Sequence, residues 1–206
     1  MPLIYNEYQS NFRLALWSLT EPLNYFEEKA HLSLHDRNTY AQIKNEARKR
    51  EWLAVRVMLY EILGFWPNIT YTETGKPILQ NHSRHLSISH SKSMVGILLS
   101  TNPYAGLDIE NTNRSIDKVA KRFLGEKELH HLSDTTSKIG RIILWCAKEA
   151  IFKAVNESNI RFSTQIYIEK VNNNGSIDAH FYSEKENLNF TLHYIEKEEH
   201  IAVWTT

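Results

Sequence analysis

The sequence predicts an α+β fold built from two similar parts. Three observations predict it. A long helix-forming run followed by short alternating strands occurs twice, over residues 38–100 and 141–204. A turn signal, Asn102-Pro103, falls between the two runs. With 42% hydrophobic and 23% charged residues, the 206-residue chain has the composition of a protein that buries a substantial core. The division is therefore expected near that turn, with an N-terminal α+β half over residues 1–103 and a C-terminal one over residues 104–206. The halves share an order of elements, not a sequence repeat.

Taken in order, Phe12 to Leu19 alternate as a first strand, and Thr20-Glu21-Pro22 signals a helix start. Asn38 to Leu63 read as one long helix, closed by Gly64 and Pro67, with Trp52, Leu53, Val57, Leu59, Tyr60 and Leu63 facing a core. Its first half is basic through Lys44, Arg48, Lys49, Arg50 and then Arg56. Glu73-Thr74-Gly75-Lys76-Pro77 is a turn by composition. Leu86 to His90 and Met94 to Ser100 follow as strands. Gly106 to Glu110 form a short strand, Ile116 to Leu124 a helix closed by Gly125, and Glu126 to Leu132 another. Arg141 to Val155 lack Pro and Gly and predict a buried helix. The remainder reads as strands Ile166–Val171, Ile177–Tyr182, Phe190–Ile195 and Ile201–Trp204, with Asn172-Asn173-Asn174-Gly175 as a turn.

Charge and cysteine content narrow the function. Lys plus Arg number 24 and Asp plus Glu 24, which gives no general electrostatic attraction to nucleic acid or membrane surfaces. The single cysteine, Cys146, excludes an intrachain disulfide; set among apolar neighbours it is expected to stay an inert thiol. Asn6, Glu7, Asn11 and Arg13 interrupt any apolar run near Met1, and no stretch approaches the ~18 residues of a spanning helix. The cytoplasm is the expected location.

Two segments carry the chemistry. In Gly106-Leu107-Asp108-Ile109-Glu110, strand alternation sends Leu107 and Ile109 to the core and Asp108 and Glu110 to one face, their Cα atoms about 6.5 Å apart. In Trp145-Cys146-Ala147-Lys148-Glu149-Ala150-Ile151-Phe152-Lys153, an apolar helix carries charges that need partners or a ligand, and Glu149 and Lys153 lie one turn apart. An all-oxygen set from Asp108, Glu110 and Glu149 suits a hard cation such as Mg2+, which often bridges phosphate oxygens. Ser89 with His90 does not make a hydrolase pair, because adjacent strand residues face opposite ways and no nucleophile turn is present.

These two segments, with Gly75-Lys76-Pro77 and Ser87-Ile88-Ser89-His90-Ser91 upstream, resemble the signature segments of 4'-phosphopantetheinyl transferases of the larger, Sfp-like type. The likeness runs from about Arg48 to Val155, includes Phe123-Leu124 and Glu128, and departs only at Leu107. The resemblance implies two α+β halves related by a pseudo-twofold, with the active site between them in a monomer. It implies transfer of the phosphopantetheine arm of coenzyme A to a serine of an apo acyl or peptidyl carrier protein, as in fatty acid, polyketide or peptide synthesis, with adenosine 3',5'-bisphosphate released. Coenzyme A contacts are expected from Arg48 or Arg50, Lys76, Ser89, His90, Asp108, and Lys148 or Lys153, of which Lys153 lies nearer the face of Glu149. Mg2+ is expected on Asp108, Glu110 and Glu149, with the serine proton taken either by Glu149 as general base or through a metal-bound water. Lys118, Lys121 and Arg122 beside Phe123 and Leu124 would meet the acidic carrier protein. A Mg2+-dependent nuclease or phosphodiesterase would want a lysine where Thr112 stands, and a non-catalytic coenzyme A or carrier-protein binding module would not need three carboxylates.

Overall fold

The computed structural model describes residues 3–206, without the side chains of Asp117, Lys118, Lys121 and Asp134. The chain runs β1 (Leu3–Tyr8), β2 (Phe12–Ser18), α1 (Leu23–Lys29), α2 (Leu34–Gln42), α3 (Glu46–Leu63), β3 (Ile69–Tyr71), β4 (Pro77–Leu79), β5 (His85–Ser91) and β6 (Met94–Ser100). It continues through β7 (Leu107–Asn111), α4 (Asp117–Phe123), α5 (Glu126–His131), α6 (Lys138–Val155), α7 (Phe162–Gln165), β8 (Ile166–Val171), β9 (Ser176–Tyr182), β10 (Asn187–Lys197) and β11 (His200–Thr205). The fold is α+β. A four-stranded antiparallel sheet has the order β1-β2-β6-β5, a five-stranded one the order β7-β11-β10-β9-β8, and β3 with β4 forms a hairpin.

Period-two alternation stacks these elements. On β2 and β6, Ala15, Trp17, Val95, Ile97 and Leu99 pack against Leu53, Val57 and Met58 of α3. The intervening Leu14, Leu16, Met94 and Leu98 face the other way and share a core with Leu107, Ile109, Ala202 and Trp204. Behind that layer, Ile201 and Val203 of β11 turn to Leu144, Ala147 and Ile151 of α6. The order through the molecule is thus α3, first sheet, second sheet, α6. Gly96 permits the sheets to approach this closely, since a Cβ there would lie 2.5 Å from Ile109 Cδ1 and 2.8 Å from Leu16 Cδ2.

Three expectations are corrected. The single helix over 38–63 is two, α2 and α3, because Asn45 adopts an extended backbone and its side chain accepts from the Arg48 N–H, a cap that starts a new helix. The half-buried edge strand β1 carries too weak an alternation to be read from sequence. The buried helix begins at Lys138, where Ser137 accepts from the Gly140 N–H. Among the described residues no helix is long and apolar enough to cross a membrane.

Candidate active site

The site is built where an edge of one sheet meets an edge of the other. Ahead of β7, Gly106 passes so near α6 that a Cβ would stand 1.9 Å from the carbonyl oxygen of Ala150, which explains glycine at this point of the motif. Leu107 and Ile109 are buried toward the first sheet, and their N–H groups point away from β11. Ser87 and Ser89 of β5 receive them: Ser87 Oγ accepts from Leu107 N–H and Ser89 Oγ from Ile109 N–H, each at 3.0 Å. Two hydroxyls spaced two residues apart thus stand in for the carbonyls of a neighbouring strand.

Lys153 ties this junction to α6. Its Nζ donates to Asp108 Oδ1 at 2.7 Å, to Ser89 Oγ at 3.0 Å and to the Leu107 carbonyl at 3.0 Å, while Ser89 donates to Asp108 Oδ1 at 3.1 Å. The other oxygen, Asp108 Oδ2, is buried and has no hydrogen-bond partner among the described residues. Glu149 is half-buried on the same helix, its carboxyl pushed up to about 7 by burial and, second, by the charge of Asp108, against the opposing pull of Lys153 and Arg114. Glu110 accepts from Trp145 Nε1 at 3.3 Å and pairs with Arg114, whose guanidinium lies 5.1 Å from the Trp145 ring centre.

The structure therefore brings together Asp108, Glu149, Lys153 and Ser89, with Glu110 held beside them. Among the described residues no group of three His, Cys, Asp or Glu side chains is gathered closely enough to hold a metal ion. The donor set still fits a hard cation in its chemistry: Asp108 Oδ2 is an orphaned buried oxygen, and its charge raises Glu149.

Lys76 reaches the same region from the first half. The turn before it places Gly75 at φ +87, and Lys76 Nζ donates to the carbonyls of Ala154 at 2.7 Å and Pro103 at 3.0 Å. Burial holds its pKa below the ordinary lysine value. The hydroxyls of Thr72 and Thr74 meet Asn156 Oδ1, and Asn156 ends α6 in the left-handed conformation at φ 56. A cleft of about 190 Å³ opens here, lined by Lys76, Ser87, Phe152, Lys153 and Asn156 among others. Farther along β5, His90 lies with Nδ1 3.3 Å from Glu51 Oε2, and Arg48 meets both His90 Nε2 and Glu51 Oε2. Burial is the first cause lowering the His90 pKa, and because a guanidinium only donates, His90 Nε2 is the acceptor in its contact with Arg48. Arg50 is half-buried, and its Nε has no hydrogen-bond partner among the described residues.

A second cavity, about 670 Å³, is lined by Glu149, Trp145, Phe152 and Phe162, with Arg122 and Arg161 at it; Phe152 lines both spaces.

Several expected contacts are relocated. Lys148 is fully buried and spends its ammonium on Glu128 and two backbone carbonyls, so it does not face a ligand. Ser89 is 3% exposed, and the hydroxyl expected to meet a ligand is instead occupied inside the protein. Phe123 and Leu124 are core residues, not a surface anchor, and Arg122 is exposed. The side chains of Lys118 and Lys121 lie outside the described residues. Cys146 is buried, and burial pushes its thiol well above the ordinary value. Sequence reasoning missed Ser87, Arg114 and Asn156; only the Ser-x-Ser period of two in β5 offered a signal.

Residues 104–204 match the model of the 4'-phosphopantetheinyl transferase superfamily. Two relatives, each named 4'-phosphopantetheinyl transferase AcpT, come from Salmonella typhi and Salmonella typhimurium; each is 37% identical over 71 residues, covering 34% of this chain. The match spans 37% of the length of these relatives. Over residues 104–204, about half of its length, the chain is thus similar to the 4'-phosphopantetheinyl transferase superfamily.

Proposed function

We propose that this protein transfers the 4'-phosphopantetheine arm of coenzyme A to a serine of an apo acyl or peptidyl carrier protein, releasing adenosine 3',5'-bisphosphate. It would do so as a cytoplasmic monomer of the larger, Sfp-like kind, with residues 1–103 and 104–206 as pseudo-twofold halves. The observation that carries this reading is the junction of Lys153, Asp108 and Ser89, with Asp108 Oδ2 left unpartnered beside the raised carboxyl of Glu149. Both sheets contribute to it, which supports a site assembled within one chain.

The reaction sets the demands. A serine oxygen attacks a phosphorus of the diphosphate, the bond to the leaving phosphate breaks, and negative charge grows on the departing bisphosphate. Lys76 and Lys153 line one cleft and would meet that charge from two sides, with His90 and Arg48 or Arg50 on the nucleotide side. Asp108, Glu110 and Glu149 would hold Mg2+, whose chemistry there is to neutralise the diphosphate oxygens. Glu149, its carboxyl pushed up to about 7 chiefly by burial in the metal-free protein, would be the group to accept the serine proton near neutral pH when it is not spent on the cation. Arg122, exposed at the larger cavity, supplies positive charge where an acidic carrier helix would approach.

The test is mass spectrometry of several apo-carrier proteins after incubation with coenzyme A, Mg2+ and this protein. The expected outcome is a carrier heavier by the arm and stoichiometric release of the bisphosphate. Binding of coenzyme A without release would return a binding module, and cleavage of an oligonucleotide a nuclease.

A further inference from the structure

Lys148 and Glu128 form a closed knot behind Glu149. Both are 0% exposed. Lys148 Nζ donates to Glu128 Oε2 at 2.7 Å and to the carbonyls of Phe162 at 2.9 Å and Ile166 at 2.6 Å. Glu128 accepts in turn from Gly125 N–H through Oε2 at 2.7 Å and from Ile168 N–H through Oε1 at 2.8 Å. Every ammonium hydrogen and both carboxylate oxygens are used.

Stability alone does not call for an ion pair in this place. Matched apolar side chains replace many buried pairs without loss of fold. Apolar side chains, however, cannot hold backbone groups at fixed points on separate elements. This pair holds such groups at the Gly125 cap of α5, on α7 at Phe162 and on β8 at Ile166 and Ile168. Phe162 is the one that matters to the site. It belongs to the 159–163 wall of the larger cavity, which Glu149 also lines, with its ring 5.8 Å from that of Trp145 and 5.7 Å from that of Phe152.

We infer that Glu128 and Lys148 are a positioning pair, which fixes the 159–163 wall over Glu149 and thereby sets the acceptor side of the site. The word acceptor rests on the transferase reading; the placement of the wall does not. The pair touches neither coenzyme A nor the reacting atoms, and acts through Phe162 and its neighbours. Coenzyme A binding, assigned to Lys76, His90 and Arg48 or Arg50, is made by other elements and is expected to be spared.

The experiment compares the full chain with Lys148→Met and with the double variant Glu128→Gln/Lys148→Met, in which no uncompensated charge is left buried. Hydrogen exchange read by mass spectrometry should quicken by about tenfold across residues 156–168 in both variants, with α3 unchanged. In transfer assays kcat should fall on the order of tenfold or more as the wall loses its alignment, with KM for coenzyme A within about twofold. The double variant should recover the melting temperature that the single one loses but not kcat. Should Lys148→Met fail to fold, the double variant decides alone. The inference is overturned if the double variant recovers kcat along with its melting temperature, if the wall exchanges as in the parent, or if the loss falls wholly on KM for coenzyme A. If the parent protein transfers no arm, the transferase reading falls, and the exchange comparison still judges the wall.

Discussion

Helix α6 carries two lysines that each grip a carboxylate at 2.7 Å, Lys148 on Glu128 and Lys153 on Asp108. The first pair is sealed, with side chains 0% and 1% exposed; the second is open, at 28% and 9%. The sealed pair leaves no valence over, whereas the open pair leaves Asp108 Oδ2 without a partner among the described residues. Equal distances therefore hide opposite roles. A satisfied buried pair fixes geometry, and an unsatisfied one beside a second carboxylate is a place where a charged ligand is wanted.

Breaking the open pair should have the largest effect on chemistry. Asp108→Asn keeps the shape and removes the charge; transfer is expected to fall on the order of 10²–10³-fold with the melting temperature changed by only a few degrees, and unchanged turnover at saturating Mg2+ would remove Asp108 from the site. Breaking the sealed pair should act first on stability. Lys148→Met leaves Glu128 buried and uncompensated, at a loss of about 3–5 kcal/mol by denaturant titration. A loss confined to coenzyme A affinity would show that the two lysines have been assigned the wrong way round. A smaller effect is expected at Lys76. Lys76→Ala should raise KM for coenzyme A by about tenfold with kcat little changed, since one charged contact to phosphate is lost; a loss confined to affinity for the carrier would contradict its placement.

The smallest effect is in pH dependence and sharpens the comparison at Glu149. Its folded pKa of about 7 lies above the ordinary 4.5, so the folded state binds more protons than the unfolded one between those values. The stability this confers is complete below about 4.5 and is lost as pH rises through about 7. Metal-free protein should therefore melt lower at pH 8 than at pH 5 by an amount that Glu149→Gln removes. Mg2+ at pH 8 should restore the parent and not the variant, as differential melting curves would show.

The fold was largely legible because period-two alternation and turn residues are local signals. Leu107 and Ile109 go inward and Asp108 and Glu110 to the opposite face, as strand geometry demands. Asn45 caps the start of α3, but the basic run around it reads as continuous helix in the sequence. The two lysines were not separable from sequence. Five helical residues turn through about 140°, so Lys148 and Lys153 face different neighbours, but a helix apolar on nearly every side does not say which face meets which. That answer lies in Glu128 and in β5, distant in the chain. For the same reason Phe123 and Leu124, read as a surface anchor, belong to the core: a short amphipathic helix does not announce whether its apolar side meets a partner or its own protein.

The serine seam between β5 and β7 has a further consequence. A ladder of main-chain bonds can slip by one residue and still find acceptors, but this junction cannot, because Ile88 would then stand before an amide that only Ser87 or Ser89 can receive. The two sheets are thus keyed to a single relative register by a pair of side-chain oxygens, and the spacing from Lys76 to Asp108 is inherited from that key. Ser87→Ala would loosen the alignment of one sheet on the other.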